Sequence, residues 1–227
     1  AQLGFEIEPA TFKAVKLLAP QIAKVSPERV HDELLKLLKS RAPVKGLHAL
    51  EASGLLAVIL PELARASFER AEEWARAKLI VERSSTVHGR LWAMLLPVAA
   101  EAESILRRLK FSNADIRAGL EVLRGFILLP NATLARKRRM LAVSTGAILQ
   151  ELARLSAGLD GEKGLLDGVI PAEPGWVTGQ DALELGAAPG PSMGVLLEQV
   201  YDLQLEGRLA DRQAALDWLR VKIVKHN

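Results

Sequence analysis

Ser26-Pro27-Glu28-Arg29 is a helix start written in side-chain chemistry. Ser26 can cap, Pro27 carries the fixed φ that suits the first helical position, and Glu28 meets the positive end of the helix dipole. Val30, Leu34, Leu37 and Leu38 then fall at helical spacing, so residues 27–39 are expected to form a helix with one packed face. Arg29, Asp32, Lys36 and Lys39 stay on or near the wet side. A chain that opens this way has committed its first core residues to a period of about 3.6, which a strand cannot use.

The same punctuation continues. Pro43 to Ser53 reads as a second helix broken by Gly54, and the apolar run Leu55 to Leu63 reads as a buried helical turn, since Pro61 would remove a ladder donor from a strand. Longer helices are expected over 64–82 and 86–109, the second broken or kinked at Pro97. Ser112-Asn113-Ala114-Asp115 opens a helix to about Leu129, ended by Pro130-Asn131, and Leu134 to Leu155 reads as the next one. Residues 158–177 are rich in Gly and Pro and form the expected boundary. Beyond it, a short helix begins at Thr178-Gly179-Gln180-Asp181 and stops at Gly186. Another runs from Pro189-Gly190-Pro191 to about Leu205 and ends at Gly207, and Asp211 caps a last one reaching roughly Val224.

Composition agrees. Hydrophobic residues make up 49% and charged residues 25% of 227, which is globular, and with aromatics at only 4% the Leu- and Ala-rich stripes favour packed helices over a β-sandwich. The fold class is all-α. The absence of Cys removes disulfides, thiolate metal sites and Cys nucleophiles, and suits a reducing cytoplasm. No apolar run reaches the length of about 18 residues that a membrane span needs, and residues 1–20 lack the pattern of a signal peptide. A net charge of +3 and a pI near 9.3 permit a polyanionic partner without requiring one.

Three segments carry a resemblance. The first is Leu3-Gly4-Phe5-Glu6-Ile7-Glu8-Pro9-Ala10-Thr11 running into Val25 to Leu38. The second is Gly46 to Leu63, and the third is Val177 to Gly194 followed by Leu203-Gln204-Leu205-Glu206-Gly207. In this order they resemble bacterial tRNA nucleotidyltransferases and poly(A) polymerases, the class in which a small α/β catalytic head is followed by an elongated, all-helical neck, body and tail. The resemblance implies a neck over 1–63, a helical body over 64–170 and a tail over 171–227, with the head absent from this sequence. It implies that Glu28, Arg29 and Glu33 support the nucleotide pocket, and that body and tail hold the acceptor and TΨC arm of tRNA. The carboxylates that hold Mg²⁺ with ATP or CTP would belong to the head, in the same chain or a separate one, so no catalytic or metal-binding residue is assigned here. For Glu28 and Arg29 the plain alternative of first-turn helix residues stays open.

Cations supply the remaining candidates. Lys36, Lys39, Arg41 and Lys45 cluster in the neck, Arg107, Arg108 and Lys110 lie before Ser112, and Arg136, Lys137, Arg138 and Arg139 are consecutive. Together they suggest a path for a phosphate backbone; the alternative is ordinary solvated Lys and Arg. For the run of four, RNA contact is favoured, because like charges in sequence are cheapest when a polyanion neutralises them. Changing Arg136, Arg138 and Arg139 together to Ala is therefore expected to flatten the salt dependence of tRNA binding. Trp74, Trp92, Trp176 and Trp218 are scattered, so recognition by duplex shape and phosphate contact is expected rather than base stacking.

Other chemistries find little support. Asp32-Glu33 and Glu72-Glu73 are adjacent, hence about 100° apart on a helix, and do not converge on one metal. His31, His48, His88 and His226 make no metal-ligand pattern and read as surface or capping residues. The stretch Gly186 to Gly194 lacks a Lys, and Pro189 and Pro191 delete donors that a phosphate cradle needs. The reading is the RNA-holding part of an enzyme that extends RNA 3′ ends, by CCA, CC, A or poly(A) addition. A tRNA substrate is favoured because the chain ends with only Lys222 and Lys225 rather than a strongly basic extension. A stand-alone helical RNA-binding module and a degenerate hydrolase scaffold are the rivals.

Overall fold

The computed structural model describes residues 1–161 and 164–224, and every regular element within them is helical. In chain order these are α1 (Pro9–Leu18), α2 (Pro27–Lys39), α3 (Pro43–Ser53), α4 (Leu55–Ile59), α5 (Pro61–Glu69), α6 (Ala71–Arg83) and α7 (Val87–Leu95). They are followed by α8 (Ala102–Arg108), α9 (Asn113–Leu128), α10 (Leu134–Ala142), α11 (Gly146–Leu159), α12 (Gly179–Glu184), α13 (Pro191–Leu205) and α14 (Arg212–Val224). Lys225 and His226 lie outside the described residues.

Proline starts α1, α2, α3, α5 and α13, where its missing N–H costs nothing. Hydroxyls and carboxylates start others: Ser112 Oγ accepts from the Asp115 amide at 3.1 Å, and Asp211 from the Ala214 amide at 2.9 Å. Thr178 and Asp181 form a full capping box on α12. Ser26 departs from expectation, since its side chain makes no capping bond and its carbonyl instead accepts from the amides of Arg29 and Val30. Pro27 and backbone geometry therefore start α2.

Three expected helices divide. Arg70, with φ −131°, separates α5 from α6 inside 64–82, and 86–109 breaks at the 3₁₀ turn Leu96–Val98, as Pro97 predicts. The expected helix 134–155 is two helices. Val143, Ser144 and Thr145 form a corner closed by the Gly146 amide donating to the Val143 carbonyl at 2.9 Å, and a Cβ on Gly146 would collide with the Leu141 carbonyl oxygen. Residues 9–18, which carried no helix expectation of their own, form α1.

The chain forms two compact units, Ala1–Leu128 with Ala147–Asp167, and Leu129–Gly146 with Gly168–Asn227. In the first, Leu38, Leu47, Leu60, Leu63, Trp74, Trp92, Leu95 and Leu106 lie in one fully enclosed aliphatic core. The ring of Trp92 lies flat against α9 because position 119 is Gly: a Cβ there would stand 2.5 Å from the indole. Arg90 on α7 donates to the carbonyls of Leu38, Ser40 and Ser84 at 2.6, 3.0 and 3.0 Å, satisfying the otherwise orphaned end of α2. In the second unit, Ala182, Leu196, Leu219 and Ile223 form the core of α12, α13 and α14. Buried Gln204 accepts from the Trp176 amide at 2.9 Å and donates to the Pro174 carbonyl at 3.1 Å, pinning the segment before α12.

Candidate nucleic-acid interface

The amphipathic register of α2 decides where its candidate residues stand. Glu28, Arg29 and Glu33 are all exposed, and Glu28 occupies the first turn. Arg29, Asp32, Glu33 and Lys36 line a cavity of about 580 Å³ whose remaining walls are apolar, among them Ile22, Val25, Leu34, Leu50 and Ile59. Glu28 does not line it. Glu33 and Lys36 pair at 2.8 Å, and the carboxylate raises the Lys36 pKa above its ordinary value. Lys45 pairs with Glu6 at 2.6 Å, which lowers the Glu6 carboxyl. Of the neck cations, Lys39 and Arg41 are exposed and form no ion pair among the described residues.

The second group sorts the same way. Arg107 pairs with Glu103 one turn back at 2.7 Å. Arg108 grips Glu62 with both amino groups, at 2.6 and 2.8 Å, and this pairing pushes Glu62 down and Arg108 up from their ordinary values. Lys110 follows with no ion pair among the described residues, on an exposed corner with φ +59°.

The run on α10 fans around its helix, since consecutive positions differ by about 100°. Arg138 turns to its own unit and donates to the Leu205 carbonyl at 2.8 Å, while its backbone carbonyl accepts from the Ala172 amide at 2.9 Å. Arg139 lies over the Tyr201 ring, 4.7 Å from its centroid, and pairs with Asp202 at 2.7 Å. The neutralising groups for these two cations are thus a helix end, an aromatic face and a carboxylate of α13. Arg136 is exposed and Lys137 half-buried; neither forms an ion pair among the described residues.

Two contributors have no sequence signal, because their partners are far away in the chain. His31 accompanies the turn after α8: its Nδ1 lies 3.1 Å from the Leu109 carbonyl oxygen, and its ring stacks on Phe111 with centroids 3.9 Å apart. Glu151 on α11 accepts from the Ser85 amide at 2.7 Å and from the hydroxyls of Ser84 and Ser85, fixing the corner before α7. His88 faces Asp115 at 3.6 Å and His48 is exposed. Trp74 and Trp92 are core residues, and Trp176 and Trp218 are half-buried. Among the described residues no three His, Cys, Asp or Glu side chains gather as a metal site would require, and no helix is long and apolar enough to cross a membrane.

Lys39, Arg41 and Lys110 in the first unit, and Arg136 and Lys137 in the second, are thus the candidate cations that form no ion pair among the described residues, and comparison with known proteins shows what the chain resembles. Residues 4–67 match the family described as "Probable RNA and SrmB- binding site of polymerase A". The A-adding tRNA nucleotidyltransferase of Deinococcus radiodurans is 28% identical over 94% of this chain and 63% of its own length. CCA-adding enzymes of Streptococcus mutans and Levilactobacillus brevis are 29% and 25% identical, over 98% and 95% of this chain and 57% and 56% of theirs. The chain is thus similar to tRNA nucleotidyltransferases along nearly its whole length, and to an RNA-binding family over its first third. It spans between 56% and 63% of the length of these three relatives.

Proposed function

We propose that this chain is the RNA-holding part of a template-independent nucleotidyltransferase that extends the 3′ ends of tRNA in the cytoplasm. The observation that carries the reading is the match along 94–98% of the chain to tRNA nucleotidyltransferases, alongside an RNA-binding family match over residues 4–67. The acceptor and TΨC arm of tRNA would lie on helix-borne cations, contacted through phosphates and duplex shape, since two of the four Trp are committed to the core. Lys39, Arg41, Lys110, Arg136 and Lys137 suit that role best, because among the described residues their charges are not spent on carboxylates. Glu28, Arg29 and Glu33 would brace the nucleotide pocket from α2, of which Arg29 and Glu33 share the apolar recess. Nucleotide and Mg²⁺ would be held by the family's catalytic head, and the chain's own work is positioning.

A second reading, the corresponding part of a poly(A) polymerase, is favoured by the wording of the matched family, which names polymerase A. One experiment separates the readings. The protein is incubated with Mg²⁺, labelled ATP or CTP, and tRNAs ending at the discriminator base, at C or at CC, with tRNA binding measured in parallel. Binding of tRNA is expected; the accepted ends name the activity wherever incorporation occurs, and binding without incorporation identifies the holding part acting alone. Failure to bind tRNA overturns the proposal.

A further inference from the structure

We propose that Lys110 is a phosphate-contact residue for RNA, displayed on a preformed left-handed corner between α8 and α9; the inference rests on the RNA-holding role proposed above and names one residue that performs it. Lys110 is the only non-glycine with positive φ among the described residues. Its corner is a standard helix ending: the Lys110 amide donates to the Arg107 carbonyl at 3.1 Å and the Phe111 amide to the Leu106 carbonyl at 3.0 Å. The same pair of bonds closes α12 at Gly186 and α13 at Gly207, with φ +90° and +70°. Glycine is the residue that such a corner prefers, because a Cβ in the left-handed region crowds the following carbonyl.

Strain of this kind persists where the surroundings over-determine the backbone. Here they do. Leu109 and Phe111 on either side are buried, His31 engages the Leu109 carbonyl and stacks on Phe111, and Ser112 caps the next helix at once. The corner is thus held from α2, α8 and α9 together, while the Lys110 side chain is exposed. Charge points the same way. Arg107 and Arg108 are occupied by Glu103 and Glu62, and Lys110 is the cation of the three that pairs with no carboxylate among the described residues. An ammonium group on a flexible stem is a point charge well matched to a phosphate oxygen. Nothing in the fold requires Lys at a position where Gly would relax the backbone.

The test uses variants for which fold and function move in opposite directions. Wild type, Lys110→Gly, Lys110→Asn and Lys110→Arg are compared by thermal unfolding and by tRNA titration across a salt series. Lys110→Gly is expected to raise the unfolding midpoint by about 1–4 °C while weakening tRNA binding about three- to tenfold near 0.1 M salt. Its log–log salt slope is expected to fall by about 0.7–0.9, the share of one phosphate. Lys110→Asn tolerates the corner without the charge and should lose the same affinity; Lys110→Arg should keep affinity and slope. Unchanged affinity and slope in Lys110→Gly overturn the assignment, and a lowered midpoint overturns the strain argument. A wild type that does not bind tRNA overturns the RNA reading itself, and is seen before any variant is compared.

Discussion

Arg90 shows how far one side chain reaches. Its guanidinium is half-buried on α7, yet it satisfies two carbonyls at the end of α2 and one after α6. Removing it leaves those carbonyls without a donor at a buried helix end, where an unmade bond costs more than a made one contributes. Arg90→Met is expected to lose about 2–4 kcal/mol of stability, read as a lower denaturant midpoint at unchanged slope. A loss within about 0.5 kcal/mol, typical of surface changes, would mean that water replaces the guanidinium. His31 is the complementary case. As a sequence symbol it is one of four scattered histidines, and its partner Leu109 stands 78 positions away. Nothing local announces such a pair, and so its role in holding the corner at Lys110 is visible only in the fold.

At the scale of the element, α10 separates two meanings of a basic run. Arg138 and Arg139 hold α13, whereas Arg136 and Lys137 make no ion pair among the described residues. Arg138→Ala with Arg139→Ala is expected to destabilise the second unit by about 2–3 kcal/mol. Arg136→Ala with Lys137→Ala is expected to leave unfolding unchanged and to lower the tRNA salt slope by roughly one to two. A triple change that includes 138 and 139 mixes both effects, and identical behaviour of the two double variants would refute the division. Helix starts were legible wherever one residue does the work: Pro27, Pro43 and Pro191 begin helices, Gly54 ends one, and Ser112, Thr178 and Asp211 cap. The corner at 143–145 was legible in principle, since Val143, Ser144, Thr145 and Gly146 are consecutive weak helix formers. The corner at Arg70 was not, because Arg is a good helix former and its φ of −131° is set by tertiary packing. Of the candidate interface, the positions of the cations were legible, but which of them the protein's own acids occupy was not. Glu62 meets Arg108 across 46 positions and Asp202 meets Arg139 across 63, spans over which spacing carries no information.

At the scale of the whole molecule, the chain crosses between its two units three times, at 128–129, 146–147 and 167–168. Residues 129–146 therefore belong to a unit whose remainder lies beyond position 168. A fragment of residues 1–167 holds all of the first unit and is expected to unfold cooperatively, with 129–146 cut rapidly by trypsin at its Arg and Lys. A fragment of residues 168–227 lacks α10, and is expected to show no cooperative transition until a peptide of 129–146 is added. Cooperative unfolding of that fragment by itself would show that α10 is dispensable. The interleaving also sets a clock on synthesis. Asp202 leaves the ribosome 63 residues after Arg139 (202 − 139), a delay of about 3–13 s at ordinary elongation rates. For that interval four consecutive cations ride on a nascent chain without the aromatic face and carboxylate that later receive one of them, within reach of the ribosome's own RNA. The second unit must win Arg138 and Arg139 back from any polyanion met first, so its folding yield becomes a competition decided by ionic strength.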